Sequence, residues 1–246
     1  MKEYENFGLL NHIFENYIKK HHIFDKTDLY IEGEMDVEVD IKYRLILSDF
    51  PFKYRKLTSS IYIEKLLFFK EILESEGLVI LIIPSNLLFS KASENFRTDL
   101  QHLFYIEAIA SVSIPNYFNF SFVSFSFIIL KEAIKQNIIN SFILNSQEEI
   151  DLFFKNIFNG LVNSSLLRIS ISKDKIENNI LDPNYYQEEY LEIEKELSNY
   201  QLKKLGDLAE LLRGMRYRRE ILVEEGEINF IRVRNLQNNK IFGKGA

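Results

Sequence analysis

The stretch YRLILSDFPFKY, residues 43–54, drives an apolar run into an acid followed by two phenylalanines around a proline. Asp49, Phe50, Pro51 and Phe52 are the residues whose types and spacing could do chemistry, and that chemistry is the holding of a nucleic-acid base. The same four residues also fit an ordinary strand end, where a proline after the last paired residue terminates the ladder and the aromatics enter the core. Other candidates are poorer. His12, His21, His22 and His102 have no ligand-like spacing with carboxylates, so no metal site is expected. The chain has no cysteine, which excludes a disulfide framework, a thiolate metal site and a Cys nucleophile. No nuclease-type grouping of carboxylates and lysine is present.

The elements that must position Asp49 alternate along the chain. YRLILS (43–48) reads as a short buried strand, and SIYIEKLLFFKEILESEG (60–77) as an amphipathic helix stopped by Gly77. LVILIIP (78–84) is continuously apolar, as a strand covered on both faces must be. SENFRTDLQHLF (93–104) predicts a helix with Ser93 as its N-cap, IEAIASV (106–112) a strand, and FSFVSFSFIILK (120–131) another strand. This rhythm is that of a parallel α/β sheet. The aromatics at 117–127 read either as core or as the lining of a base pocket. Further on, 173–200 is polar and charged and reads as a connection; Asp207 is a candidate cap for a short helix closed by Gly214, and INFIRVRNL (228–236) reads as a half-buried strand.

With 246 residues, 46% of them apolar, the chain can bury a substantial core in one large or two small domains. It shows no secretory leader and no apolar run of the roughly 18 residues that a membrane span requires, which points to the cytoplasm. The net charge of −6 is unevenly spread. Residues 201–246 carry ten Lys and Arg against six Asp and Glu, a net of +4, and the other 200 residues carry 20 against 30, a net of −10. A basic tail on an acidic body suits either a solvated surface or phosphate contact.

Taken together, LILSDFPF, an amphipathic helix, GLVILIIPSNLLFS, ENFRTDL, IEAIASV and FSFIILK resemble the second half of an N6-adenine DNA methyltransferase of the restriction-modification type, whose signature is an Asn/Asp-Pro-Pro-Tyr/Phe tetrad. The resemblance covers residues 40–131. The tail, from LDPNYYQEEYLEIEKEL through KLGDLAELLRGMRYRRE to INFIRVRNL, is similar to the opening of a specificity-subunit-type target-recognition domain. The fold implied is α/β, a partial doubly wound, Rossmann-like methyltransferase sheet followed by the beginning of an α+β target-recognition module. The implied division is an N-terminal segment at 1–42, the methyltransferase-like domain at 43–172, a linker at 173–200 and a truncated recognition module at 201–246.

The resemblance also implies roles. Adenine's amino group is a poor nucleophile, so the family flips the base out and draws its hydrogens toward acceptors. Asp49 would be the side-chain acceptor, Phe50 would offer its backbone carbonyl, Pro51 would fix the turn and Phe52 would stack on the ring. Phe50 departs from the family, which has proline there; a second proline would restrict the loop, so position 50 is freer in this chain. Arg216, Arg218, Arg219, Arg232 and Arg234 would contact the phosphates of double-stranded DNA.

The family's cofactor, S-adenosylmethionine, is bound by a glycine-rich loop after the first strand. Only Gly8 and Gly33 precede residue 43, with no Gly-x-Gly turn, and IEGEMDVEVD (31–40) reads as an acidic loop. The chain therefore reads as a fragment or degenerate copy lacking the cofactor-binding half, predicted to bind the cofactor weakly or not at all. One function class is a methyltransferase-family protein that is catalytic only when another methylase chain or a longer product supplies that half. The other is a non-catalytic module that binds DNA or a specificity subunit.

Overall fold

The computed structural model describes residues 15, 29–31, 41–49, 59–113, 124–132, 137–159, 166, 168–173, 176, 179–210, 236–237 and 240–241. The chain divides into two compact units, Met1–Glu196 and Leu197–Ala246.

The first unit is built on a seven-stranded sheet of order β1-β2-β3-β5-β4-β6-β7. Its strands are β1 (Leu29–Ile31), β2 (Tyr43–Asp49), β3 (Leu73–Pro84), β4 (Tyr105–Val112), β5 (Phe125–Lys131), β6 (Ile138–Leu144) and β7 (Arg168–Ser172). β1, β2 and β3 pair in parallel, and so do β4 and β6. β5 lies antiparallel to both of its neighbours, β3 and β4, and β7 is antiparallel to β6. The fold is α/β, as the alternating pattern predicts, but the sheet is mixed rather than wholly parallel. The reason lies in the link from Val112 to Phe125, which carries no helical pattern. A parallel return usually runs through a crossover helix, and β5 instead pairs antiparallel with β4.

Helices cover both faces. α1 (Ser59–Ile72) and α2 (Glu94–Leu103) put Leu66, Phe69, Phe96 and Leu100 against Val79, Leu81, Ile83, Ile128 and Leu130. α3 (Gln147–Phe158) puts Ile150, Phe153 and Phe154 against Phe127, Phe142 and Leu144 on the other face. Because both faces are covered, Val79 through Ile83 are all buried, which accounts for the unbroken apolar run. α3 starts at an N-cap, Ser146, whose Oγ accepts from the Glu149 amide, while Glu149 Oε2 accepts from the amide of Asn145, one residue before the cap, at 2.6 Å.

α1 ends at Ile72, five residues before the predicted stop at Gly77. Leu73 already pairs with Tyr43, and pairing then jumps to Leu78 opposite Leu45, so Glu74–Gly77 loop out of the ladder. The turn is made by Glu76, at φ 67°, while Gly77 serves close packing. A Cβ there would lie 2.7 Å from Leu73 Cδ1 and 2.9 Å from the Glu74 carbonyl oxygen. α2 begins after Ser93, but the Ser93 side chain makes no capping hydrogen bond. Its hydroxyl accepts from Ser90 instead, at 2.8 Å.

The polar stretch after β7 does not run free of the sheet. Leu181, Pro183 and Tyr186 are buried, and the Leu181 amide donates to the Leu88 carbonyl at 2.9 Å. Helix α4 (Glu188–Leu197) follows and buries none of its residues. In the second unit, α5 (Leu205–Leu208) contains Asp207 within its first turn, with Lys204 at the N-cap, and β8 (Leu236–Gln237) pairs antiparallel with β9 (Lys240–Ile241). Gly214 and residues 228–235 lie outside the described residues.

Candidate functional site

Five strands of the sheet, β1, β2, β3, β4 and β6, point the same way, so their carboxyl ends share one edge. β2 ends there at Asp49, in register with Ile82 of β3, one residue after the fully buried Ser48. Open α/β sheets bind ligands at this edge, because the strand-to-helix loops converge there. The backbone of Asp49 thus lies at this edge. Phe50, Pro51 and Phe52 lie outside the described residues, as do Arg216, Arg218, Arg219, Arg232 and Arg234.

Next to β2 the edge is organised by a row of hydroxyls that the sequence pattern did not single out. β3 leaves the sheet through the turn Ser85–Leu88. The Ser85 amide donates to the Ser124 carbonyl at 2.9 Å, and Ser85 Oγ lies 2.8 Å from Ser126 Oγ. Ser126 Oγ is 3.3 Å from Ser111 Oγ, its register partner on β4, and Ser111 Oγ donates to Asp182 Oδ1 at 3.3 Å. Each hydroxyl has one proton and an ionised carboxylate only accepts, so the bonds run in one direction, from Ser85 to Ser126 to Ser111 to Asp182. Asp182 Oδ1 also accepts from the amide and the side-chain nitrogen of Asn184, at 3.0 and 2.9 Å. Three buried serines, one in the turn after β3 and one each on β4 and β5, are thereby chained to one acid from the segment that covers them.

Arg97 holds the same segment from below. It is 1% exposed, and its guanidinium donates to three carbonyls: Leu87 at 2.9 Å, Ser90 at 2.8 Å and Asn179 at 2.5 Å. Burial lowers its pKa from the usual arginine value, and Glu94 opposes that shift. The turn leaving β3 and the segment at Asn179 are therefore joined through one cation.

These groups were legible only as irregularities. Ser111 and Ser126 interrupt mostly apolar strands, Arg97 sits on the apolar side of an amphipathic helix, and Asp182 precedes a proline. Among the described residues no group of three or more His, Cys, Asp and Glu side chains comes together as a metal site, and no helix is long and apolar enough to cross a membrane.

No protein-family model matches the chain, and no curated protein matches it. Solved structures do. The described fold is similar to that of type I restriction-modification methyltransferase subunits. The methyltransferase subunit of the type I system from Streptococcus thermophilus is 14% identical, with 63% of this chain and 41% of that chain covered, at a TM-score of 0.48. A modification subunit of a type I restriction enzyme from Vibrio vulnificus YJ016 is 14% identical over 63% of this chain and 41% of its own, at 0.47. The type I restriction enzyme EcoKI M protein is 14% identical over 65% and 49%, at 0.44. The chain thus spans less than half the length of each of these three proteins.

Proposed function

We propose that residues 43–172 are the second half of an S-adenosylmethionine-dependent DNA (adenine-N6) methyltransferase domain of a restriction-modification system, and that residues 201–246 begin a target-recognition module. The observation that carries this reading is the position of Asp49. It is the last residue of β2, at the carboxyl edge of three parallel strands, immediately before Phe-Pro-Phe in the sequence. In this reading the Asp49 carboxylate and the Phe50 carbonyl accept the two amino hydrogens of a flipped adenine, Pro51 fixes the turn, and Phe52 stacks on the ring. Arg216, Arg218, Arg219, Arg232 and Arg234 contact duplex phosphates.

The described residues do not fit the cofactor. S-adenosylmethionine needs backbone amides and an acid for its ribose, yet Asp182, the described acid tied into that edge, is engaged by Ser111 and Asn184. No Gly-x-Gly turn precedes β2 in the sequence. This chain is therefore assigned the base-holding half of the site, and the cofactor half falls to another methylase or specificity-associated chain, or to a longer product.

A tritiated-methyl transfer assay tests it, using the chain alone, the chain with a companion fragment carrying a glycine-rich cofactor half, and each mixture with Asp49→Ala. Incorporation only with the companion, lost with Asp49→Ala, supports the proposal. Incorporation by the chain alone, lost with Asp49→Ala, overturns its incompleteness. No incorporation in any mixture favours a non-catalytic module. Phe50→Pro alone should not create activity, because it repairs the loop and leaves the cofactor half missing.

A further inference from the structure

The segment by which β3 leaves the sheet carries an exposed aromatic on a fixed backbone. Phe89, directly after the turn Ser85–Leu88, is 48% exposed. Among the described residues ahead of α4, the other exposed large apolar side chains are Ile41, Leu67 and Ile138, none of them aromatic. Ile41 precedes β2 and Ile138 begins β6, so both lie toward the amino edge of the sheet, and Leu67 lies within α1. Phe89 alone follows the carboxyl end of a parallel strand, the neighbour of the strand that ends at Asp49.

The backbone around Phe89 is held on both sides. The amides of Phe89 and Ser90 both donate to the Asn86 carbonyl, at 3.4 and 2.9 Å. Arg97 Nη1 donates to the carbonyls of Leu87 and Ser90, which bracket Phe89, at 2.9 and 2.8 Å. Leu88 is fully buried, and its carbonyl accepts the Leu181 amide. A lone exposed apolar residue is ordinary on a protein surface. A ring carried on a backbone fixed by a buried cation is different, because little ordering of the chain remains to oppose the binding of a ligand.

The surroundings of the ring select the ligand. SNLLFSKAS, residues 85–93, contains one charged side chain, Lys91, and its exposed residues are Asn86, Phe89, Lys91 and Ala92. The buried centre of a protein–protein interface is apolar and depleted of charge, which one ring between an amide and an ammonium does not supply. An unpaired nucleic-acid base is matched by these groups: a ring to stack on, an amide for its polar edge and a cation for its phosphate. We propose that Phe89, with Asn86 and Lys91, is a stacking site for an unpaired DNA base, additional to the base-holding position at Asp49. The proposal rests on the reading of this chain as half of a DNA methyltransferase, in which flipping one base leaves its partner unpaired.

The test uses the full chain and two fluorescently labelled DNA single strands of about 12 nucleotides, one with bases and one abasic throughout as a phosphate-only control. Fluorescence anisotropy should show tighter binding of the base-bearing strand. Phe89→Leu keeps an apolar side chain without a ring to stack on, so it should weaken that strand at least about fivefold and leave the abasic strand unchanged. Phe89→Tyr should retain the parent affinity, and Lys91→Ala should reduce the salt slope on both strands by about 0.7. Equal binding of the two strands by the parent chain, or an affinity of Phe89→Leu within about twofold of the parent, which is short of the loss of one stacked base, overturns the proposal. Asp49→Ala is measured beside them. Base-dependent binding lost with Asp49→Ala but not with Phe89→Leu overturns this site and leaves the base-holding reading of Asp49 standing. Base-dependent binding lost with Phe89→Leu but not with Asp49→Ala supports this site and counts against that reading.

Discussion

The guanidinium of Arg97 donates its Nε proton to the carbonyl of Asn179, 82 residues away in the chain, at 2.5 Å, and its Nη1 spans the carbonyls of Leu87 and Ser90. This cation ties the exit of β3 to the segment that covers the carboxyl edge of β4. Arg97→Met should leave three carbonyls short of a donor, which costs about 1–3 kcal/mol for each group left buried and unpaired. A total loss of about 3 kcal/mol is expected, because water and relaxation recover part of it. Urea unfolding followed by circular dichroism measures it; a loss under about 0.5 kcal/mol, the range of ordinary surface changes, would show that Arg97 is dispensable.

Gly77 is the site of a second stability prediction. Its Cβ would meet Leu73 Cδ1 at 2.7 Å and the oxygens of Glu74 and Arg44 at 2.9 and 3.2 Å, two of the three being backbone. Overpacking of this kind costs about 1–3 kcal/mol. Gly77→Ala should therefore lower the thermal midpoint, despite the gain that Gly→Ala normally brings through the unfolded chain.

Glu148, in the first turn of α3, has its pKa lowered by a hydrogen bond from its own backbone and another from Ser146. A carboxyl whose folded pKa lies below its unfolded one binds fewer protons when folded. Its contribution is therefore present above the ordinary carboxylate range and is lost as the pH falls through the folded value. A carbon-detected NMR titration of Glu148 should show its midpoint rising toward the ordinary glutamate value in Ser146→Ala. An unmoved midpoint would remove Ser146 from the cause.

Isothermal titration of this chain with S-adenosylmethionine should show weak binding or none, because residues 1–42 contain only Gly8 and Gly33 and no Gly-x-Gly turn. A stoichiometric micromolar site would mean that residues 1–42 bind the cofactor by a means not recognised in their sequence.

Duplex DNA binding by the basic tail should be weak and steeply salt-dependent, since neutralised phosphates release their counterions. Replacing Arg216, Arg218 and Arg219 together with Ala should lower the affinity across unrelated sequences and reduce the salt slope by about 0.9 for each phosphate no longer neutralised. A slope equal to that of the parent chain would place the DNA-binding cations elsewhere.

Local pattern alone settled the buried strands β2 and β3, because residues covered on both faces must be apolar throughout, and it settled α2 through its amphipathic spacing. It also marked Asp49, since an acid ending an apolar run is visible without any long-range information. The direction of β5 was not legible there. A strand's sequence reads the same whether its neighbour is parallel or antiparallel, and the direction of β5 is decided only by its pairing between β3 and β4 in the folded sheet. The premature end of α1 was hidden for a similar reason: Leu73 leaves the helix because Tyr43, thirty positions earlier, offers it a ladder. The serines and Arg97 were hidden most completely. Ser85, Ser111, Ser126 and Asp182 lie far apart in the chain, and Arg97 and Asn179 are 82 residues apart. A buried hydroxyl or cation is tolerable only where a partner meets it, and only the folded sheet determines which partners those are.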